Sequence, residues 1–561
     1  MSAATSPTAR PARDDRTVVI GVCEEPDVLV QDFSMRHVTW AVLAPLMLKL
    51  VRYDDAWRPW PELAAELPTR DNGGWRTLPD GRTETTWRLR PGVRWHDGMP
   101  VTAHDALFAY ELLKATPPPY PHHTIVDSIS EMHVPRDDPQ ALVVRWRPDK
   151  AFATFEEWGT VLPRHLLEGQ GLHDPAVRDR HPFLRAPVFH GPYRCTGWDP
   201  GEGLTLERCQ AHPRGRPAIE RLEFRFYTGS EQLREAVVGG AVDVSDLTGF
   251  SPGDVAAIER AETGVDVHET SSLTWEHLDF NLDDPLLADR RVRHAIAHAV
   301  DRRQISERLF RGRYEPAHSW LPARHPGFDP VVRCPDHDPA AAAALLDAAS
   351  YRTAADGVRR GPGGTPLRLE LVTTPPPQPG GLWTSSALRA EVAELLREQL
   401  GRVGIAVDIR LVAADELFPS LRTRSFRHLA LFAWSMGLET TGYLLWHSSK
   451  IPDGRDWYGL NVSGWRNPAH DRVLDAIVAS GDPGERYALM RTQQALGATD
   501  LPALPLFFPP AVTTAKRGLR NVKPVGAFNA YITWNAWEWS WDTTRAAPAP
   551  SRSVASTTSR R

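Results

Sequence analysis

Residues 87–105 read WRLRPGVRWHDGMPVTAHD, and this stretch holds the local signals that set the fold class. Thr85–Leu89 favours a strand, and the Asp97-Gly98 pair that comes after it is typical of a tight turn. Thr102 is placed to cap a helix, because Asp105 stands three residues later as its reciprocal partner. A strand, a turn and a capped helix in so short a stretch predict mixed α/β structure.

The rest of the chain continues this alternation of strands and helices. The patterns predict a first strand at Thr17–Cys23, a long amphipathic helix at Arg290–Leu309, and a helix at Leu388–Val403 followed by a strand at Ile405–Leu411. Such alternation favours α/β layers. At 561 residues the chain exceeds one ordinary domain of about 100–200 residues, so two or three packed units are expected.

Composition and charge exclude several classes of protein. The 65 basic and 70 acidic residues give a net charge of -5, which argues against a dedicated binder of nucleic acid or anionic membranes. No apolar stretch approaches the roughly 20 residues that a membrane helix needs, so no direct membrane span is expected. The 20 tryptophans are unusual, and some are expected to line a cavity.

Two enzyme motifs fail on single residues. None of the six lysines is followed by Ser or Thr, which excludes a Walker A phosphate loop. Gly249–Gly253 matches the GxSxG pattern of serine hydrolases, but Pro252 has no N–H to offer an oxyanion hole. Ser251 is therefore predicted as a helix cap with Asp254 in the first turn, and a serine hydrolase using Ser251 is the less favoured alternative. The chain is not expected to be an enzyme.

Metal and disulfide signals are weak. His294 and His298 are four residues apart, but the glutamate of an HExxH motif is missing, and there is no CxxC pair. We therefore predict no metal site and no cofactor. Cys195 and Cys209 flank a turn at Pro200–Gly203, so a hairpin would place them nearly opposite one another. In an oxidising compartment they could form a disulfide, and two free thiols are the alternative.

The segment Trp434–Trp446, WSMGLETTGYLLW, is the strongest candidate for ligand contacts. It follows an apolar strand at Leu429–Phe432 and brings two tryptophans, Tyr443 and a single carboxylate, Glu439, into one loop. Loops at strand ends carry ligand contacts in α/β folds. The alternative is that these aromatic side chains fill core.

Several segments together resemble one family, the extracellular solute-binding proteins, family 5, of ABC importers, which includes peptide- and nickel-binding proteins. They occur in the family's order and cover roughly Thr17 to Trp541. The segments are 87–105, Gly191–Tyr193 with Trp198, Leu206–Arg208, Gly239–Val244, Phe280-Asn281, Asp289–Arg302, Gln399–Ile405, and Trp465–Pro468 with Asp471.

The resemblance implies a periplasmic-binding-protein-like α/β fold of type II, with two lobes, a hinge and an additional small domain. The implied first lobe is built from 14–50, 186–272 and 505–542, and the additional domain is 51–185. The second lobe is 273–504, and the hinge crossings lie near Thr274 and Pro502–Pro505. The composition of 543–561 predicts a disordered tail.

The resemblance also implies the function. The chain would capture a peptide or similar small polar organic ligand by hinge closure, break no bond, and deliver it as a monomer to an ABC permease with ATPase subunits. It implies an extracytoplasmic location, periplasmic or at the cell surface. The first sixteen residues contain no apolar signal core, and Cys23 lacks a lipobox. A stand-alone cytoplasmic binder or sensor of the same fold is therefore the alternative.

From loop position and composition, we expect these residues to contact the ligand: Glu25, Pro26, Asp27, Trp275, Trp383, Trp434, Glu439, Tyr443 and Trp446. In peptide-binding members, an aspartate three residues after a tryptophan pairs with the peptide's amino terminus. The matching position here is Gly437, and the nearest carboxylate is Glu439. Either Glu439 substitutes for that aspartate or the ligand lacks an α-amine, since a desolvated ammonium needs a carboxylate nearby.

Overall fold

A computed structural model describes most of the chain. The described residues are 15–34, 36–117, 123–147, 160–210, 212–245, 250–261, 264–376, 385–438, 441–453, 459–480, 482–526 and 531–542. Trp383, Glu439 and the predicted tail 543–561 lie outside these ranges.

Strands and helices alternate through the described ranges. The strands are β1 (Thr17–Val22), β2 (Val51–Tyr53), β3 (Pro59–Pro61), β4 (Trp75–Thr77), β5 (Thr83–Arg88), β6 (Ile129–His133), β7 (Ala141–Trp146), β8 (Tyr193–Asp199), β9 (Gly203–Arg208), β10 (Arg221–Phe226), β11 (Val244–Ser245), β12 (Val265–Thr270), β13 (Thr274–Phe280), β14 (Arg352–Thr353), β15 (Arg359–Arg360), β16 (Arg368–Thr373), β17 (Ala406–Leu411), β18 (Leu429–Ser435), β19 (Ala503–Phe507), β20 (Ala511–Lys516), β21 (Leu519–Arg520) and β22 (Ser540–Trp541). The helices are α1 (His37–Leu43), α2 (Ala103–Ala115), α3 (His123–Ser128), α4 (Arg164–Leu167), α5 (Pro175–Arg178), α6 (Ser230–Val238), α7 (Pro252–Arg260), α8 (Pro285–Ala288), α9 (Arg290–Ala299), α10 (Arg302–Phe310), α11 (Pro339–Ala348), α12 (Arg389–Arg402), α13 (Ala414–Thr423), α14 (Tyr443–Trp446), α15 (Pro468–Ala479) and α16 (Pro483–Asp500).

A seven-stranded sheet is built around β1 in the order β12-β20-β11-β1-β10-β9-β8. Every residue of β1 is buried, as expected for an apolar run flanked by parallel partners on both sides, β10 and β11. Gly21 permits close packing, because a Cβ there would lie 2.5 Å from Leu233 of α6. The sheet therefore depends on β1 and on the helices packed against it.

A five-stranded sheet has the order β17-β16-β18-β13-β19. Its strands β16, β17 and β18 are parallel, whereas β13 runs antiparallel to both β18 and β19. Buried side chains of α9, α11 and α12 join those of the strands in one apolar core. A four-stranded antiparallel sheet, β4-β5-β7-β6, shares one apolar core with the seven-stranded sheet, and Trp87 and Trp146 belong to that core.

The predicted domain limits stay a prediction. All strands of the seven-stranded sheet fall within 14–50, 186–272 and 505–542, and those of the four-stranded sheet fall within 51–185. Strand β19 spans the predicted limit at 504/505.

The local predictions are mostly confirmed, with two corrections. Thr102 and Asp105 form the predicted capping box of α2. The predicted single helix at Arg290–Leu309 is wrong: Val300 is extended, and the Asp301 side chain accepts from the Gln304 N–H to start a new helix.

The second correction concerns the cysteines of the predicted hairpin. Strands β8 and β9 do form that hairpin, but Cys195 stands opposite Leu206, and Cys209 follows the last paired residue of β9. Both thiols are free, because the register does not place the two cysteines opposite one another. The nearly opposite placement, and the disulfide it would have allowed, are not found.

Candidate functional site

The carboxyl ends of three parallel strands meet at one edge of the five-stranded sheet. Thr274, which begins β13, pairs with Ser435 at the end of β18. Because β16 and β17 run parallel to β18, their ends lie at the same edge. The loops that follow β16, β17 and β18 therefore open beside the start of β13.

The corresponding edge of the seven-stranded sheet faces the same crossings. Thr270 at the end of β12 pairs with Ala511 at the start of β20, and Ser245 at the end of β11 pairs with Thr514. Strand β1 is parallel to β11, so its carboxyl end lies at this edge too. The two short links, 271–273 and 508–510, thus join the sheets at the edges where ligand-binding loops are found in open α/β folds.

The loop after β1 is shaped by its own carboxylates. Glu25 accepts hydrogen bonds from Trp198 Nε1 (2.8 Å) and from the Gly201 N–H (3.0 Å). Asp27 Oδ1 accepts from Ser34 Oγ (2.5 Å) and Thr39 Oγ1 (3.1 Å). These bonds fix the loop relative to β8 and α1. Pro26, which stands between Glu25 and Asp27 in the sequence, is buried, while Asp27 keeps exposed surface.

Three of the predicted tryptophans lie together beside the crossings. Trp275 and Trp434 are paired across β13 and β18, and the rings of Trp275 and Trp446 meet edge to face at 5.7 Å. Trp275 also stacks on His277 with centroids 3.9 Å apart. Trp275 and Trp446 are only 2% and 7% exposed, whereas Trp434 is half-buried. Trp275 and Trp446 therefore have little surface with which to contact a ligand, and they can only pack behind residues that do.

Tyr443 begins the short helix α14 next to this group. It is half-buried and stacks on His447 with centroids 4.5 Å apart, and burial raises the pKa of its hydroxyl. The structure thus groups Trp275, Trp434, Tyr443 and Trp446 on the five-stranded sheet. It places Glu25, Pro26 and Asp27 in a separate group on the seven-stranded sheet.

One aromatic group was not predicted from the sequence. The His37 ring lies 4.7 Å from that of Tyr531, and Trp40 packs edge to face on the same tyrosine at 6.1 Å. Burial lowers the pKa of His37 to about 4, so its imidazole is neutral near pH 7. His37 and Trp40 are three residues apart on α1, which the sequence shows, but their pairing with a residue far along the chain has no local signal.

Charged contacts connect the chain after α10 to the other side of the crossings. The Arg313 guanidinium donates to Glu269 of β12 and to Glu259 of α7, each at 2.7 Å. Arg324 lies 4.8 Å from the Trp57 ring and donates to the Val525 carbonyl oxygen at 3.3 Å. The Arg313 contacts therefore link the chain after α10 to the seven-stranded sheet, and the Arg324 contacts link it to Trp57 and Val525, which lie outside both sheets.

The motifs with enzymatic alternatives have structural roles. Ser251 Oγ accepts from the Asp254 N–H (3.0 Å) and donates to Asp254 Oδ2 (2.7 Å), so Ser251 caps α7 as predicted. His294 and His298 bond to the carbonyl oxygens of Thr499 and Asp336. Within the described ranges no group of three His, Cys, Asp or Glu side chains could hold a metal ion.

Two sheets that are joined by two crossings, with strand-end loops opening between them, define a two-lobed binding protein of type II. Residues 59–452 match the bacterial extracellular solute-binding proteins, family 5 (middle region), and the chain belongs to this family. The predicted family and fold class are confirmed. No helix in the described part of the chain is long and apolar enough to cross a membrane.

Curated relatives agree with this assignment. Protein XP55 of Streptomyces lividans is 27% identical over 486 residues, which is 85% of this chain and 81% of the relative. The oligopeptide-binding protein AppA of Bacillus subtilis is 20% identical over 399 residues, 70% of each chain.

Solved structures show the same fold. The oligopeptide-binding protein of Thermus thermophilus, complexed with a pentapeptide, is 26% identical with a TM-score of 0.69, covering 95% of this chain and 98% of that one. NikZ of Campylobacter jejuni, in complex with Ni(L-His), is 20% identical with a TM-score of 0.70, covering 94% and 100%. The protein is the substrate-binding component of an ABC importer, and its family is one of solute-binding rather than catalytic proteins.

Proposed function

We propose that the protein captures a peptide or a similarly small polar organic solute outside the cytoplasm and, as a monomer, delivers it to a membrane permease with ATPase subunits. The observation that carries the proposal is the convergence of strand-end loops on the two crossings between the sheets. In this proposal the seven-stranded sheet belongs to the first lobe and the five-stranded sheet to the second. The additional domain occupies 51–185.

The proposed contacts divide by their exposure. Trp434 and Tyr443 keep exposed surface on the second lobe and would enclose the solute, while Trp275 and Trp446 would support them from behind. On the first lobe the loop of Glu25, Pro26 and Asp27 would form the opposite wall. Trp383 and Glu439 are included from their positions in the sequence alone.

Glu439 is the proposed partner for a positively charged group of the solute. It follows Leu438 directly, in the loop that leaves the end of β18. A cation that leaves water needs a carboxylate at hydrogen-bond distance. The relatives support a peptide without restricting the ligand to one, since the Thermus protein is complexed with a pentapeptide and NikZ with Ni(L-His).

Native mass spectrometry of the purified protein tests the solute class, because it identifies what remains bound. Calorimetric titration with tri- to pentapeptides then compares free with acetylated amino termini. We expect Glu439→Gln to weaken binding of a free-amine peptide about ten- to a hundredfold and to leave acetylated peptides unaffected. The control is Glu231→Gln, whose side chain is 78% exposed on α6. Equal affinity of wild type and Glu439→Gln would refute the role of Glu439.

The location is tested separately. Cell fractionation with an antibody against the native chain should find the protein outside the cytoplasm. Recovery in the cytoplasmic fraction alone would favour a stand-alone intracellular binder of the same fold. Binding of a non-peptide solute would change the proposed ligand and leave the solute-binding role intact.

A further inference from the structure

A small cavity lies in the five-stranded half of the protein, next to Trp446 of α14. Its volume is about 40 Å³, and it is bounded by β13 and β19 on one side and by α14, α15 and α16 on the other. Six of its sixteen lining residues carry aromatic rings: Trp275, Trp320, Trp446, Trp465, His318 and His470. Every lining residue lies between positions 275 and 505, whereas the larger crevice beside the crossings also includes residues of β12.

Polar nitrogen atoms on this wall lack protein partners. Trp275 Nε1, Trp446 Nε1, His318 Nδ1 and both ring nitrogens of His470 are buried without a hydrogen bond to any described residue. Trp275, Trp446 and His470 are all more than nine-tenths buried. The other two indoles behave differently, because Trp320 donates to Gln493 Oε1 at 3.0 Å and Trp465 to Asp500 Oδ2 at 2.9 Å.

Buried polar groups in folded proteins are almost always hydrogen-bonded, so these nitrogens require a partner within the cavity. We propose that the cavity is a binding site for a cluster of about three water molecules, since one water needs roughly 10–15 Å³ of such volume. The unpartnered nitrogens supply the anchoring hydrogen bonds that each buried water requires.

The chemistry of the wall favours water over other occupants. An apolar occupant would leave the indole N–H groups unpaired. Burial lowers the pKa of His318 and of His470 to about 4, so each neutral ring has one donor and one acceptor nitrogen. An anion can only accept, and it would leave an acceptor nitrogen of His470 without a donor. Water both donates and accepts hydrogen bonds, so it satisfies the donor and the acceptor nitrogens alike.

His318 also provides a route to solvent. It lines a second, larger crevice of about 1040 Å³ that opens beside the crossings and is bordered by Arg302 and Arg333. The two spaces meet at this one imidazole. Waters can therefore exchange with solvent past His318, whose Nδ1 is one of the unpartnered atoms.

The water cluster would stabilise the backbone at Gly442, in the segment between Trp434 and Trp446 that carries the proposed ligand contacts. A Cβ at Gly442 would lie 2.8 Å from Gln493 Nε2 and 3.0 Å from Trp446, so the loop rests directly on two residues of the cavity wall. The inference does not depend on which solute the protein transports.

A crystal structure of the wild-type protein at better than about 2 Å resolution tests the site directly, with a second data set collected under xenon pressure. We expect water density at hydrogen-bond distance from Trp275 Nε1, Trp446 Nε1 and His470, and no xenon, because xenon occupies dry apolar cavities. Xenon in the cavity would overturn the proposal. Density for a non-water molecule would overturn it equally.

The His470→Phe variant gives an independent readout. If waters bind, the variant removes two of their anchors, and the melting temperature should fall by about 1–3 °C. If the cavity is dry, the variant removes two unpaired buried nitrogens, and the melting temperature should rise. His325→Phe is the control, since His325 bonds to the Leu438 carbonyl oxygen and to the Gly327 N–H and should lose stability in both cases. The wild-type crystal remains decisive if the variant does not fold.

Discussion

Replacing Arg389 by methionine should destabilise the second sheet more than any exposed charge substitution. Arg389 begins α12 and holds Glu276 of β13 through two hydrogen bonds of 2.8 and 3.0 Å. The Glu276 side chain is 1% exposed, so the variant would leave a carboxylate buried without its guanidinium. Removing one partner of a buried ion pair costs about 3–5 kcal/mol. The free energy of unfolding should therefore fall by that amount.

Urea-induced unfolding, followed by circular dichroism, measures the change. The matched control is Arg397→Met on the same helix, because Arg397 is 54% exposed in its pair with Glu394 and should cost no more than about 1 kcal/mol. The double variant Glu276→Met/Arg389→Met should cost less than Arg389→Met alone, since the buried carboxylate is then removed together with the guanidinium. Equal losses for Arg389→Met and Arg397→Met would refute the reasoning.

Three further perturbations have defined outcomes. Gly442→Ala should lose about 1–2 kcal/mol of stability through its φ of 74° and also weaken solute binding, because its Cβ would lie 2.8–3.0 Å from three side-chain atoms. Gly240→Ala has a φ of 73° and open space around its Cβ, so it should lose stability alone; equal effects on binding would contradict this. Ser251→Ala should cost about 1 kcal/mol in urea unfolding through loss of the cap, and labelling of Ser251 by a serine-reactive phosphonate would contradict its structural role. Burial lowers the pKa of His37 and of His325 to about 4, below the ordinary 6.5. The stability that each neutral imidazole contributes to the fold is therefore complete above pH 6.5 and is lost as the pH falls toward 4. A melting temperature that stays constant over this pH range would contradict this prediction.

Local signals in the sequence predicted local structure well. The capping boxes of Thr102 and Ser251 are found as predicted, because each depends on residues three positions apart. The break after Ala299 was missed for the same reason that the helix was predicted. The apolar periodicity continues through Arg290–Leu309, while the competing cap at Asp301 is a single side chain whose use is decided by packing.

The candidate site was less accessible from the sequence, because strand position does not say what each side chain contacts. Glu25 could have faced a ligand, yet its carboxylate accepts from Trp198 Nε1, which is 173 positions away. Cys209 was expected opposite Cys195, but the register of β8 and β9 pairs Cys195 with Leu206. The group of His37 and Tyr531 joins the two ends of the chain and has no counterpart in any local pattern.

The distribution of aromatic side chains suggests how recognition is divided in this protein. Trp275 and Trp446 are almost fully buried and form a fixed base, whereas Trp434 and Tyr443 above them keep exposed surface. In the loop after β1, the Asp27 carboxylate is likewise held by hydrogen bonds from Ser34 and Thr39. Sites on rigid supports lose little entropy when a ligand binds. Under the proposed function, solute specificity is therefore assigned to the exposed faces of Trp434 and Tyr443 rather than to the tryptophan content of the chain as a whole.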